Sequence, residues 1–200
     1  MQTKRKIILC GSTVIGIYKE DIMDLRQLKM GLILIVLAYL VGCTHNYSVK
    51  PFPIKPDLVP DLDVKSEIRI VNAQDKGTNN VFYSIGGSKW VGDLGDWTEQ
   101  AAELLKFEMK KRNIIISENA NKILKLAITE GKLDSEFAGI RCVVKLKVKA
   151  GNGYTQIYEG NHRNSSPFAE QARYHAGAGA VTRAVTDLLN DRKIIEYLEN

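Results

Sequence analysis

Apolar residues along the chain fall into three patterns: one unbroken run, several alternations of period two, and two stretches of helical period. The run is Gly31-Leu-Ile-Leu-Ile-Val-Leu-Ala-Tyr-Leu40, preceded by the polar segment Asp24-Leu-Arg26-Gln-Leu-Lys29. It is shorter than the roughly 20 apolar residues a membrane-crossing helix needs. Its length and basic flank are those of an export-signal core.

Beyond the run, Glu67–Val71 alternates and predicts a first strand, and Val81–Ile85 predicts a second before the Gly86-Gly87 break. A helix is expected next, with Asp96 as cap and Glu99 reaching back to it. Trp97, Ala101, Leu104, Leu105 and Met109 form its apolar face, with Glu103, Lys106, Lys110 and Lys111 mostly opposite. Asn113 supplies a left-handed stop. Ile114–Ile116 then leads to strand-like segments.

In Leu124–Thr129, Leu124, Leu126 and Ile128 share a face. In Arg141–Lys149, Cys142, Val144, Leu146 and Val148 point one way and Arg141, Lys145, Lys147 and Lys149 the other. Such alternation argues for an antiparallel sheet with one face in water. Gly151-Asn-Gly153 predicts a tight hairpin into Tyr154–Glu159. Ser166 as cap and Pro167 in the first turn open a long helix through Ala176–Val185 to Leu189. Its small residues suit close packing on the chain's own sheet, and alternatively a contact between subunits of a homo-oligomer. An amphipathic Lys193–Leu198 ends the chain.

Together these elements predict an α+β protein, a two-layer α/β sandwich with a mostly antiparallel sheet and two main helices packed on one face. Thr44–Asp63 holds Pro51, Pro53, Pro56 and Pro60 among few large apolar residues, and is read as an extended tether. The expected organisation is a leader over 1–42, a tether over 43–64 and one globular domain over 65–200. Within the leader, 1–22 is read as an over-extension of the reading frame, with Met23 as initiator.

Charge changes little in this picture. The 200 residues carry a net +5, but six of 28 basic and three of 23 acidic side chains lie in 1–42. The remaining 22 and 20 leave a nearly neutral domain, and with no basic stripe interleaved with aromatics nucleic acid is not an expected partner. The row Arg141, Lys145, Lys147 and Lys149 is a candidate electrostatic patch toward anionic lipid, cell-wall polymer or an acidic protein. A row of this kind is most often simply a solvated face.

Candidate chemistry is sparse. His45, His162 and His175 are far apart, in the expected tether, a loop and a helix, without metal-ligand spacing, and no cofactor is expected. Ser84, Ser165 and Ser166 lack a nucleophile elbow. Asp93, Asp96, Glu130 and Asp134 make a catalytic pair only if folding gathers them, which is the alternative reading of an enzyme acting on an envelope polymer. Cys142 is expected to be a buried, inert thiol.

Leu40, Val41, Gly42 and Cys43 resemble the lipobox of bacterial lipoproteins, in which the chain is cut after the residue at Gly42 and the cysteine, here Cys43, carries lipid. With the capped helix ending near Asn113, the Leu124–Thr129 strand, the Gly151–Tyr154 hairpin and the Ala176–Leu189 helix, the chain resembles YajG-type bacterial lipoproteins. The resemblance implies an α/β sandwich and a non-enzymatic role in the cell envelope. Anchorage would be through the N-terminal lipid, with an envelope protein or polymer as partner. In a Gram-negative cell, Thr44 after the cysteine implies the outer membrane, facing the periplasm.

Overall fold

The alternation in the second half of the chain builds the larger of two sheets. The computed structural model describes residues 43–166 and 168–200, so the leader readings over 1–42, including cleavage at Gly42, and Pro167 lie outside the described residues. In chain order the elements are β1 (Thr44–Asn46), a 3-10 turn (Pro56–Leu58), β2 (Ile68–Asn72), β3 (Asn79–Ile85), β4 (Ser88–Asp93) and α1 (Leu94–Lys111). They are followed by β5 (Lys122–Glu136), β6 (Gly139–Ala150), β7 (Thr155–Asn164), α2 (Ala169–Leu189) and α3 (Arg192–Glu199).

The larger sheet has the order β2-β5-β6-β7, with β6 antiparallel to both β5 and β7, and β2 parallel to β5. Its inner face carries Leu124, Leu126, Ile128, Cys142, Val144, Leu146 and Val148, all fully buried. Helices α1 and α2 cover this one face, α1 over β2 and β5, α2 over β6 and β7. The α+β sandwich is therefore present, with an addition: a second sheet of order β1-β4-β3, in which β1 runs parallel to β4.

That second sheet changes the reading of the N-terminal segment. The stretch expected as a tether is a strap packed on the domain. Tyr47, Val49, Ile54, Val59 and Leu62 are buried, and the exposed prolines at 53, 56 and 60 fall between them. Proline lacks an N–H, but its neighbours find partners: Phe52 exchanges two hydrogen bonds with Thr182 Oγ1, and Ile54 N–H donates to Glu108 Oε1 at 3.2 Å. Intermittent apolar residues anchor an extended segment by turns, without any period to announce it.

Other boundaries move for local reasons. The cap of α1 is Asp93, whose Oδ1 accepts from Gly95 N–H and Oδ2 from Gly77 N–H, both at 2.7 Å, and these donors hold its carboxyl below the usual range. Asp96 lies in the first turn, and Glu99 accepts from Asn72 Nδ2 and does not close a box. Helix α2 starts at Ala169 after Phe168, with no side-chain cap; the Ser166 hydroxyl accepts from Phe168 N–H at 3.3 Å. His162 sits in strand β7, and His45 in β1. Asn113 ends α1 at φ 60°, and the Gly151–Gly153 hairpin joins β6 to β7 as the turn residues dictate.

The small residues of α2 are used inside the chain. Ala176 through Val181 are buried, and a Cβ on Gly160 of β7 would overlap the Ala180 carbonyl, so helix and strand meet backbone to backbone. That burial sets Ala176–Ala180 against the chain's own sheet. Cys142 is buried and its thiol is pushed up to about 12, chiefly by desolvation, as an inert core cysteine requires.

Glu108 is the one fully buried carboxylate of α1 at 1% exposure. Burial raises its pKa, but Lys111, Arg112 and Ile54 N–H outweigh that and leave it lowered. A lowered folded-state pKa adds stability above the unfolded value of about 4 and loses it as pH falls through the folded value. Glu108→Gln should cost about 2 kcal/mol at neutral pH. The gap between the urea midpoints of variant and parent should narrow on acidification, whereas a constant gap would mean the charge is not what holds the strap.

Candidate functional site

Strand β3 runs beside the far half of β5 without pairing to it. Asn80 Nδ2 donates to the Gly131 carbonyl at 2.6 Å, and the Phe82 ring occupies the space a side chain at 131 would take. Next to this contact a cavity of about 200 Å³ opens between β3, the β5–β6 hairpin and the first turns of α2. Its walls include Tyr83, Leu133, Ser135, Ile140, Ala172 and Arg173. It is smaller than the roughly 300–1,000 Å³ of ordinary small-molecule sites. It has room for one side chain or a short stretch of alkyl chain.

The cavity's cation is held by aromatics. Arg173 lies over the Trp90 ring, 4.2 Å from its centroid, with Tyr83 at 5.9 Å, and His45 stacks on Trp90 at 4.7 Å. The register His45↔Trp90↔Tyr83 places all three on one face of the small sheet. Cation–π attraction holds the guanidinium, while its buried Nε has no hydrogen-bond partner among the described residues. The site thus offers an apolar floor, one positive charge and one unused donor. Sequence patterns give no hint of it, because Trp90 on β4 and Arg173 on α2 are far apart along the chain and meet only in the fold.

The basic row is divided by the fold. Arg141 and Arg163 both pair with Glu136, the latter at 3.3 Å, and Lys145 pairs with Glu130 at 2.6 Å, which raises its pKa. Lys147 and Lys149 have no carboxylate partner among the described residues, and Lys125 stands beside Lys149 in register. The unneutralised cluster is therefore Lys125, Lys147 and Lys149, at the end of β6 away from the cavity.

Asp93 caps α1 and Asp96 lies in its first turn; Glu130 and Asp134 lie on β5, where Asp134 pairs with Lys132 at 2.7 Å. His45, His162 and His175 sit on three different elements, His162 against Gly179 and His175 edge-on to Phe52. Ser166 borders the cavity and its hydroxyl lies 3.1 Å from Gln171 Oε1; Ser84 is on β3 opposite Lys89, and Ser165 is exposed. Among the described residues no group of three or more His, Cys, Asp or Glu is arranged to hold a metal ion. Cys43 is exposed, and its carbonyl accepts from Lys89 N–H at 2.9 Å.

No protein-family profile and no curated protein matches the chain.

Proposed function

We propose that this is a lipid-anchored cell-envelope protein, acylated at Cys43, that works by binding another envelope component. The observation that carries the reading is the motif Leu40-Val-Gly-Cys43 at the end of a short apolar run with a basic flank. An exposed Cys43 at the start of the folded domain fits it, since a thiol destined for acylation has to be reachable. Each carboxylate weighed for catalysis caps a helix, lies in its first turn or pairs with a lysine, which favours binding over chemistry. The lysine cluster Lys125, Lys147 and Lys149 suits an anionic protein or polymer as the component bound.

Cys43→Ser tests the anchor. In cells making the full chain, the native protein should sediment with membranes and enter the detergent phase, whereas the variant should be released or stay as the uncleaved precursor. A variant that partitions like the native protein would refute the reading.

A further inference from the structure

We infer that the pole formed by the β3–β4 turn, the β5–β6 turn and the start of α2 is a foot that rests in the headgroup region of the lipid bilayer, through Ile85, Phe137 and Phe168. The inference rests on acylation of Cys43. It adds an orientation and a contact surface that acylation alone does not supply.

The chain leaves no slack at the acylation point. Cys43 leads directly into β1, its carbonyl is bonded to Lys89 N–H, and Thr44 and His45 are in register with Lys89 and Trp90. With the expected tether folded down as a strap, a lipid on Cys43 Sγ enters the bilayer within one side chain of the protein surface. The domain cannot stand off, so some face of it meets the headgroups.

Topology decides which face. Cys43 precedes the residue paired with Lys89, which places it beside Ser88 and the turn from Ile85. Asn80 lies against Gly131, and Tyr83, further along β3, lines one cavity with Leu133 and Ser135, further along β5, so β3 and β5 run in the same direction. The turn after Ile85 and the turn after Glu136 therefore share one pole. Helix α2 starts there too, because Ala172 and Arg173 wall the same cavity as Tyr83 and Ile140.

At that pole Phe137 is fully exposed, Phe168 is 70% exposed and Ile85 57%. Single exposed apolar residues are ordinary; three at the tips of adjacent loops, beside the acylation point, make a surface matched to acyl chains. Trp90 and Tyr83 lie just behind, as amphipathic rings do at a membrane interface. Arg141 and Arg163 against Glu136 leave the adjoining strand ends net positive, which suits phosphate headgroups. The lysine cluster at the opposite end of β6 is left facing away from the membrane, free for a partner.

The test uses the acylated full chain in vesicles of phosphatidylethanolamine and phosphatidylglycerol carrying brominated lipid, with Phe137→Trp and Phe168→Trp as reporters at the foot. Phe107→Trp, on the α1 surface toward the other pole, is the control, and the native tryptophans are common to all. Emission from each foot reporter should fall by roughly half, as for a side chain at the boundary of headgroups and acyl chains, while the control matches the unsubstituted protein. Unquenched foot reporters on protein whose mass shows acylated Cys43 would overturn the inference and leave the anchor standing. Reporters shielded only as protein concentration rises, without quenching, would assign the pole to a second copy and also overturn it. An unacylated Cys43 would remove the anchor and the inference together.

Discussion

A chain shortened to begin at Val64 is expected to be unfolded or aggregated, although the described residues it loses, 43–63, hold one three-residue strand and one helical turn. Tyr47, Val49, Ile54, Val59 and Leu62 are each less than a tenth exposed. Burying one such side chain contributes about 1.5–3 kcal/mol, so five contribute on the order of 10 kcal/mol, comparable with the whole stability of about 5–15 kcal/mol of a domain. The loss uncovers more than it removes. Trp97, which donates from Nε1 to the Tyr47 carbonyl at 2.9 Å and stacks on Phe82 at 4.3 Å, would be exposed, and Glu108 would lose Ile54 N–H. Circular dichroism and urea unfolding of the shortened chain check this; a cooperative transition at the parent's midpoint would mean that residues 43–63 are a tether after all.

Gly160→Val is expected to cost about 4 kcal/mol, at the upper end for overpacking, because the new side chain meets the Ala180 carbonyl and the Ala184 amide, both backbone of α2. Valine is otherwise a better strand residue than glycine, by at most about 1 kcal/mol. Two effects of opposite sign thus compete, and the steric one should win by a wide margin. The denaturation midpoint should fall sharply with little change in the urea dependence. A variant as stable as its parent would show that α2 can lift from β7, and would reopen the small-residue stretch as a surface for partners.

The parts of the fold that sequence reveals are those where one face is wet and the other buried. Cys142, Val144, Leu146 and Val148 alternate with Arg141, Lys145, Lys147 and Lys149, Val143 alone being apolar on the outer face, and the β6–β7 hairpin and the stop at Asn113 follow from residues able to take positive φ. Strand β5 was legible only as far as Thr129, because the register shift between Ile128 and Glu130 and the glycine beneath Phe82 break its period. Strand β4 was missed since Lys89-Trp-Val-Gly92 mixes its faces, and β1 since three residues carry no period. The cap shifted from Asp96 to Asp93 because both precede plausible first turns, and only the Gly77 loop, which brings a second donor, favours the earlier one. Of the candidate site almost nothing was legible: Arg173 on Trp90, the cavity beside it and the shared pole of two turns depend on β3 lying along β5, a long-range contact that no local pattern encodes.

Anchorage, orientation and partner all depend on Cys43. The most direct measurement is mass spectrometry of the N-terminal peptide from the membrane fraction, for the native chain and for Cys43→Ser. The expected result is a mature chain beginning at Cys43 with a diacylglyceryl or triacyl mass on that residue, absent from the variant. An unmodified peptide beginning at Met1 or Met23 would contradict it.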